Sequence, residues 1–297
     1  MKKFFLFFLI VGCTSVHCFA QANIRASKTG SRIDVFINNQ LFTRYIFSED
    51  EKYPFFFPVN GPSGASVTSM RNSNFPHHSS LFFGCDYLNG GNYWDQALER
   101  GQIRSIRAEI LETEGDRVVI ENECIWTREG VPSPIRDTRT ITIAARSENL
   151  FILDFDIVME MLEDVTISRT NHSLFSGRMA ADLTVTNGGT MINAEGNTAE
   201  EGTFGVPSPW ISYYGTRFGK TEGMTIMQHP SNKWYPAPWF TRNYGFFSPT
   251  PLYWPEDLEK GTFIKKGESV SLRYRVLVHG GDHVEADIAG EFEKYTR

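Results

Sequence analysis

Apolar and polar residues alternate through most of this 297-residue chain, and the alternation changes to a helical period only at its end. From Ser31 to Ile46 the period-two pattern runs on both sides of Asn38-Asn39. An Asn-Asn pair accepts the backbone of a tight reversal, so this stretch predicts a β-hairpin. Ile103–Leu111 and Val118–Trp126 repeat the pattern around Glu114-Gly115-Asp116, and Thr138–Ala144 with Leu150–Val158 form a third pair. Further strands are predicted at Gly177–Val185, Trp210–Tyr214, Gly223–Gln228 and Ser269–Val278. From Val284 to Tyr295 the apolar residues Val284, Ile288, Phe292 and Tyr295 fall on one face of a helix. Long strands at regular spacing, joined by turns, point to an all-β fold, a large β-sandwich. Two loops, around residues 58–80 and 228–255, are unusually long, and ordered loops of that length are where binding sites are commonly built.

The first twenty residues do not follow the pattern. Lys2 and Lys3 precede an unbroken apolar run, Phe4 to Val11, and Cys18 and Ala20 supply small residues for cleavage after Ala20. This predicts a signal peptide at residues 1–20 and a single domain over 21–297. A lipoprotein box at Ile10-Val11-Gly12-Cys13, with a lipid anchor on Cys13, is the alternative. Both readings make the chain exported, to the periplasm or the medium. No later stretch is apolar and long enough for a transmembrane segment. Losing Lys2 and Lys3 removes two positive charges, so the formal net charge of −6 becomes −8. An acidic body without a basic stripe argues against nucleic acid as a partner. Cys85 and Cys124 remain in the mature chain, enough for one bridge or two buried thiols.

The densest chemistry lies in 222–254, where a short apolar strand enters a loop rich in Trp, Tyr and Pro. Aromatic faces beside His229, Asn232 and Arg242 suit a surface that stacks on a flat ligand and bonds its edges. This segment reads as the wall of a binding site.

Several motifs together make the chain recognisable. They are Pro54-Phe55-Phe56-Phe57-Pro58 with Gly61-Pro62-Ser63-Gly64, and Phe75-Pro76-His77-His78-Ser79-Ser80-Leu81-Phe82-Phe83-Gly84. Asn89-Gly90 with Tyr93-Trp94 follows, then Thr170-Asn171-His172-Ser173-Leu174-Phe175-Ser176-Gly177-Arg178. The segments Gln228–Asn232 and Trp239–Gly245 complete the set. In these the chain resembles the exported bacterial proteins called PmoA-like, or DUF6807, over nearly all of its mature length. The resemblance implies an exported β-sandwich of a kind found in polysaccharide-degrading bacteria. The Thr170-Asn171-His172 stretch resembles the galactose-mutarotase fold, so a galactose-mutarotase-like supersandwich is expected. The second motif departs from the family pattern of His-Pro-His-His followed by Arg-Gly. Phe75 stands in the first position and Ser79-Ser80 replace Arg-Gly, so roles needing three histidines or that arginine have no counterpart here.

Four histidines are the candidates for proton transfer, because imidazole titrates near neutral pH and also ligates metals. His77 and His78 are neighbours after Pro76; on a regular strand only one would face a site while the other packs. His172 leads into a strand carrying Ser176 and Arg178 at even spacing, which a regular strand would place on one face. Pairing of Arg178 with a carboxylate such as Asp182 is the structural alternative. His229 stands where a strand enters the aromatic loop. A divalent metal ion would take His77 or His78 with His172, His229 and a carboxylate, though no close-spaced ligand motif specifies one. Asp86, Asp95, Glu195 and Glu222 are candidate carboxylates for glycoside hydrolysis. Trp94, Trp234, Trp239, Tyr244 and Trp254 are the aromatic candidates. At least two should be core, with Trp94 and Trp234 the ones expected at the surface because turn-forming residues flank them. Ligand contacts are expected from Trp94, Arg178, Asn232, Trp234, Trp239, Arg242 and Tyr244.

The sequence therefore points to a secreted carbohydrate-active enzyme, a lyase or hydrolase cleaving or modifying a glycoside, with loop histidines as acid and base. A non-catalytic glycan-binding protein on the same sandwich is the alternative. A copper protein, as the family label implies, is the least favoured.

Overall fold

The computed structural model describes residues 22–95 and 97–297. The predicted signal peptide and the Cys13 anchor lie outside them.

Two large antiparallel sheets face each other. The first holds, in spatial order, Trp239–Thr241, Phe246–Pro249, Ser173–Arg178, Leu81–Cys85, Phe55–Val59, Gln40–Ile46, Arg32–Ile37, Ile24–Thr29 and Glu114–Gly115. The second runs Thr190–Asn193, Trp210–Arg217, Lys220–Gln228, Ser269–Gly280, Leu150–Met161, Ile135–Ser147, Arg117–Thr127 and Gln102–Glu112. Alternation in the sequence becomes alternation in burial. In Arg117–Thr127 the residues Ile120, Cys124 and Trp126 are buried while Glu121, Glu123 and Ile125 between them keep some exposure. Each large apolar side chain turned into the sandwich contributes on the order of 2–3 kcal/mol. Asn38 and Asn39 have φ of 50° and 65°, the left-handed values that a two-residue hairpin turn requires.

Lys220–Gln228 does not alternate, because everything from Glu222 to Gln228 is buried. Met224 and Ile226 enter the main core. Met227 on the opposite face packs with Trp210, Leu277, Ile288 and Tyr295 under the C-terminal helix Ile288–Thr296. A strand covered on both faces reads as a continuous apolar run. That helix begins later than its apolar period suggests: Val284 lies before it and is 70% exposed, whereas Ile288 and Tyr295 are buried.

Two other expectations change. The strand placed at Gly177–Val185 runs instead over Ser173–Arg178, and short 3-10 turns follow it. Leu174 takes a φ of 63°, which breaks the even-spacing argument just after His172. Cys85 and Cys124 are buried free thiols.

Candidate functional site

The long stretch at 58–80 carries its own hairpin, Met70–Asn72 paired with Phe75–Ser79. Asn72 closes its turn by accepting a bond from the Phe75 amide at 2.9 Å. The buried Tyr53 hydroxyl donates to the His77 carbonyl at 2.8 Å, tying the hairpin to the sheet. Regular strand geometry would separate the neighbouring histidine rings, yet their centroids lie 4.5 Å apart. His78 is buried between Phe75 and Phe246, with ring separations of 5.0 and 4.7 Å. Burial, reinforced by His77 and Arg178 nearby, pushes its pKa down to about 2. The ring therefore stays neutral and supplies packing. His77 is half-buried, and burial lowers its pKa as well. It lines a cleft of about 220 Å³ together with Lys52, Arg71, Ser79, Trp94 and Asp95.

A second arm reaches this cleft from the ends of Leu81–Cys85 and Ser173–Arg178, which are neighbours in the sheet. The Asp86 amide donates to the His172 carbonyl at 2.8 Å. The Asp86 carboxylate accepts from the Tyr87 amide at 2.6 Å and lies 3.6 Å from His172 Nδ1. Asn92 shapes the turn beyond: its Oδ1 accepts from the amides of Trp94 and Asp95, each at 2.9 Å. Its Nδ2 bonds the Asp95 carboxylate. One donor atom from each of Asp86, Asp95 and His172 then lies within 4.8 Å of the others. Two carboxylates and an imidazole are a donor set for a divalent first-row metal ion. The Trp94 ring stacks on His172 at 5.3 Å, 9° from parallel, and fixes its plane. The His77 and His172 rings are 6.0 Å apart.

Trp94 is fully buried, so the expectation that turn-forming neighbours would leave it at the surface is overturned. Those neighbours cap a buried ring. Lys52, on the cleft wall, carries no sequence signal. Burial lowers its pKa to about 8, against the opposing pull of Asp95 and Asp86.

The remaining candidates separate. His229 follows the strand Lys220–Gln228 of the eight-stranded sheet, with Nδ1 at 2.7 Å from Ser231 and Nε2 at 3.2 Å from Arg273. Its ring meets Tyr295 edge-on at 5.1 Å. Asn232 is occupied on both sides by the Arg273 backbone, at 2.9 and 2.7 Å. Trp239 is fully buried, with its indole N–H donating to the Ser208 carbonyl. Its part in the loop is that of a core residue. Trp234 is half-buried against the core. Arg242 pairs with Glu200 at 2.9 Å and lies over Phe240. Tyr244 and Arg178 do reach the His77 side: Tyr244 stacks on Phe75 at 4.3 Å, and Arg178 lies against both rings. Asp182 pairs with Arg217, not with Arg178. Glu222 is held by Ser63 and Arg217. Three roomier surface depressions lie elsewhere: those of about 340 and 390 Å³ have no histidine in their lining among the described residues, and one of about 290 Å³ is lined by His283 beside the C-terminal helix.

One protein-family model matches residues 32–293, nearly all of the described chain. The chain belongs to DUF6807, a family of unknown function. No curated protein matches this DUF6807 chain in sequence. Among solved structures it is similar to an Escherichia coli K12 protein assigned by name only as an aldose 1-epimerase. That likeness has 10% identity and a TM-score of 0.36, over 87% of this chain and 98% of the other. The Slr1438 protein of Synechocystis is similar at 7% identity and a TM-score of 0.35, over 87% and 96%. A polysaccharide lyase is similar at 11% identity and a TM-score of 0.30, over 89% of this chain but 33% of the lyase. At these scores the likenesses carry no conclusion about activity.

Proposed function

We propose that this DUF6807 chain is a carbohydrate-active enzyme that moves a proton on a sugar ligand, as an epimerase or a lyase does. The observation that carries the reading is the placement of His77 and Lys52 on one cleft, beside Asp86, Asp95 and His172. Asp50, Glu51, Lys52, Arg71, His77, Ser79 and Asp95 line the cleft with hydrogen-bonding groups, which suits a polyhydroxylated ligand better than an apolar one.

The division of labour follows from the surroundings. His77, with its pKa lowered by burial, is a free base at neutral pH and accepts a proton from a ligand carbon. Lys52, near 8, is still mostly protonated there and donates a proton to the departing or developing oxygen. Asp86 and Trp94 hold the His172 ring in position. Asp86, Asp95 and His172 would hold a divalent cation, which when bound polarises a carbonyl or hydroxyl. Proton abstraction with loss of a leaving group is elimination; abstraction and return from the opposite face is epimerisation. The non-catalytic alternative is less well supported, because Trp94 and Trp239 present no free face for stacking.

The test is mass spectrometry of reaction mixtures of residues 21–297 with a panel of glycosides and keto-glycosides, with and without divalent metal. The expected result is an isomer of unchanged mass or a fragment lighter by one water, absent with His77→Ala. A product that has gained water contradicts proton abstraction. Binding of sugar without any product promotes the glycan-binding reading.

A further inference from the structure

We propose that Arg178 is the recognition subsite for a carboxylate on the ligand, so that the cleft takes an acidic sugar. The inference rests on the reading of the His77 cleft as a sugar site and names its substrate class.

Arg178 ends the fully buried strand Ser173–Arg178 and is itself only 6% exposed. Its Nε and Nη1 are buried without any hydrogen-bond partner, and no carboxylate pairs with it among the described residues. Its Cζ lies 4.9 Å from the centre of the Phe75 ring and 4.6 Å from that of Tyr244. Aromatic faces favour a cation but accept none of its in-plane N–H bonds. Arg139, Arg217 and Arg178 are all buried, but the first two are paired with carboxylates. Arg139 is bonded by Asp137 at 2.6 and 3.1 Å. Arg217 is bonded by Glu222 and by the carbonyls of Ala65 and Ser66 at 2.8 and 2.9 Å.

Unmade bonds at a buried charged group are costly, and a guanidinium does not escape by losing its proton. Burial lowers the Arg178 pKa, and the nearby groups that oppose this are Tyr244 and Tyr213. A carboxylate oxygen placed at either open N–H makes the charge-assisted hydrogen bond that these buried donors lack. The subsite adjoins the cleft. The Arg178 amide donates to the Ser80 carbonyl at 2.7 Å, at the end of the His77 hairpin. Phe75, which covers the guanidinium, is two residues from His77, with ring centres 6.3 Å apart. Phe75 and Tyr244, which flank the guanidinium, are each only half-buried.

Calorimetric titration of residues 21–297 with a matched set tests this: a neutral oligosaccharide, its uronate counterpart and its sulfated counterpart. The wild type should bind the uronate about ten- to a hundred-fold tighter than the neutral sugar, the range set by a charged hydrogen-bonded pair. Arg178→Met should erase that preference, and Arg178→Lys should keep part of it, which separates recognition from folding. Equal binding of neutral and acidic sugars by wild type overturns the carboxylate subsite while leaving the sugar reading in place. An Arg178-dependent preference for the sulfated sugar over the uronate also overturns it, in favour of sulfate. If no sugar of any charge binds, the reading of the cleft falls first and the subsite with it.

Discussion

Arg178 and Arg217 are both buried guanidiniums on sandwich strands, and they live in opposite surroundings. Arg217 is closed: Glu222, Asp182 and two backbone carbonyls take its donors, and Ser63 binds the same glutamate. Arg178 is open, with Nε and Nη1 unpartnered between two rings. The histidines divide in the same way. His279 is closed: Nε2 is within 3.3 Å of Ser212 and Thr225, and Nδ1 is 3.1 Å from the Gly281 carbonyl. Near the cleft, His78 Nδ1 and Trp94 Nε1 are buried without partners. Folded proteins normally satisfy buried polar atoms. Unmet donors and acceptors also occur far from this cleft, at Asn193, Arg275, Glu291 and Tyr295, but Arg178 is the residue, among those described, that leaves two of its nitrogens open. The closed sites mark where the chain completes itself.

The contrast breaks most visibly in catalysis. His77→Ala or Lys52→Met should lower turnover by about 10²- to 10⁴-fold in a product assay, the usual worth of a positioned acid or base. Equal loss from His229→Ala would erase the distinction between the two histidine sites. Next in size is stability. Arg217→Met leaves Glu222 buried without its partner and should cost about 3–5 kcal/mol in urea unfolding. Arg178→Met abandons no carboxylate and should be neutral or stabilising in the same measurement. A large loss there would mean that Arg178 is already satisfied.

The closed histidine should show itself in pH. Burial lowers the His279 pKa from an ordinary 6.5 to about 4. The unfolded chain therefore binds this proton first as pH falls. The His279 contribution is complete above pH 6.5, shrinks between 6.5 and 4, and is flat below; the difference reaches about 3 kcal/mol. Unfolding titrations of wild type and His279→Gln should differ in slope within that window. The smallest expected effect is that of His229→Ala: turnover within about two-fold of wild type, and about 1 kcal/mol lost with its Arg273 and Ser231 contacts.

Legibility in the sequence followed the same divide between local and distant causes. The hairpin at Ser31–Ile46 was readable because period-two burial and two Asn residues at positive φ are both local. The strand ending at Arg178 was misplaced because its alternation is interrupted by Leu174 at φ 63°. Trp94 was read as exposed from neighbours that turn out to cap it: Asn92 folds the chain over a buried ring. Asp86 and Asp95 were among the candidate carboxylates, but their meeting depends on a turn closing across two strand ends. Lys52 had no signal, since its lowered pKa arises from burial that only the assembled cleft supplies.

The central claim is that His77 removes a proton from a sugar carbon in this cleft. The direct measurement is solvent deuterium wash-in: residues 21–297 are incubated with the uronates and keto-glycosides in heavy water, and the recovered sugar is weighed by mass spectrometry. The account predicts deuterium gained at one carbon-bound position with wild type, and at least about a hundred-fold slower with His77→Ala. Wash-in that proceeds unchanged in His77→Ala, or an epimer formed with no deuterium at carbon, would contradict it.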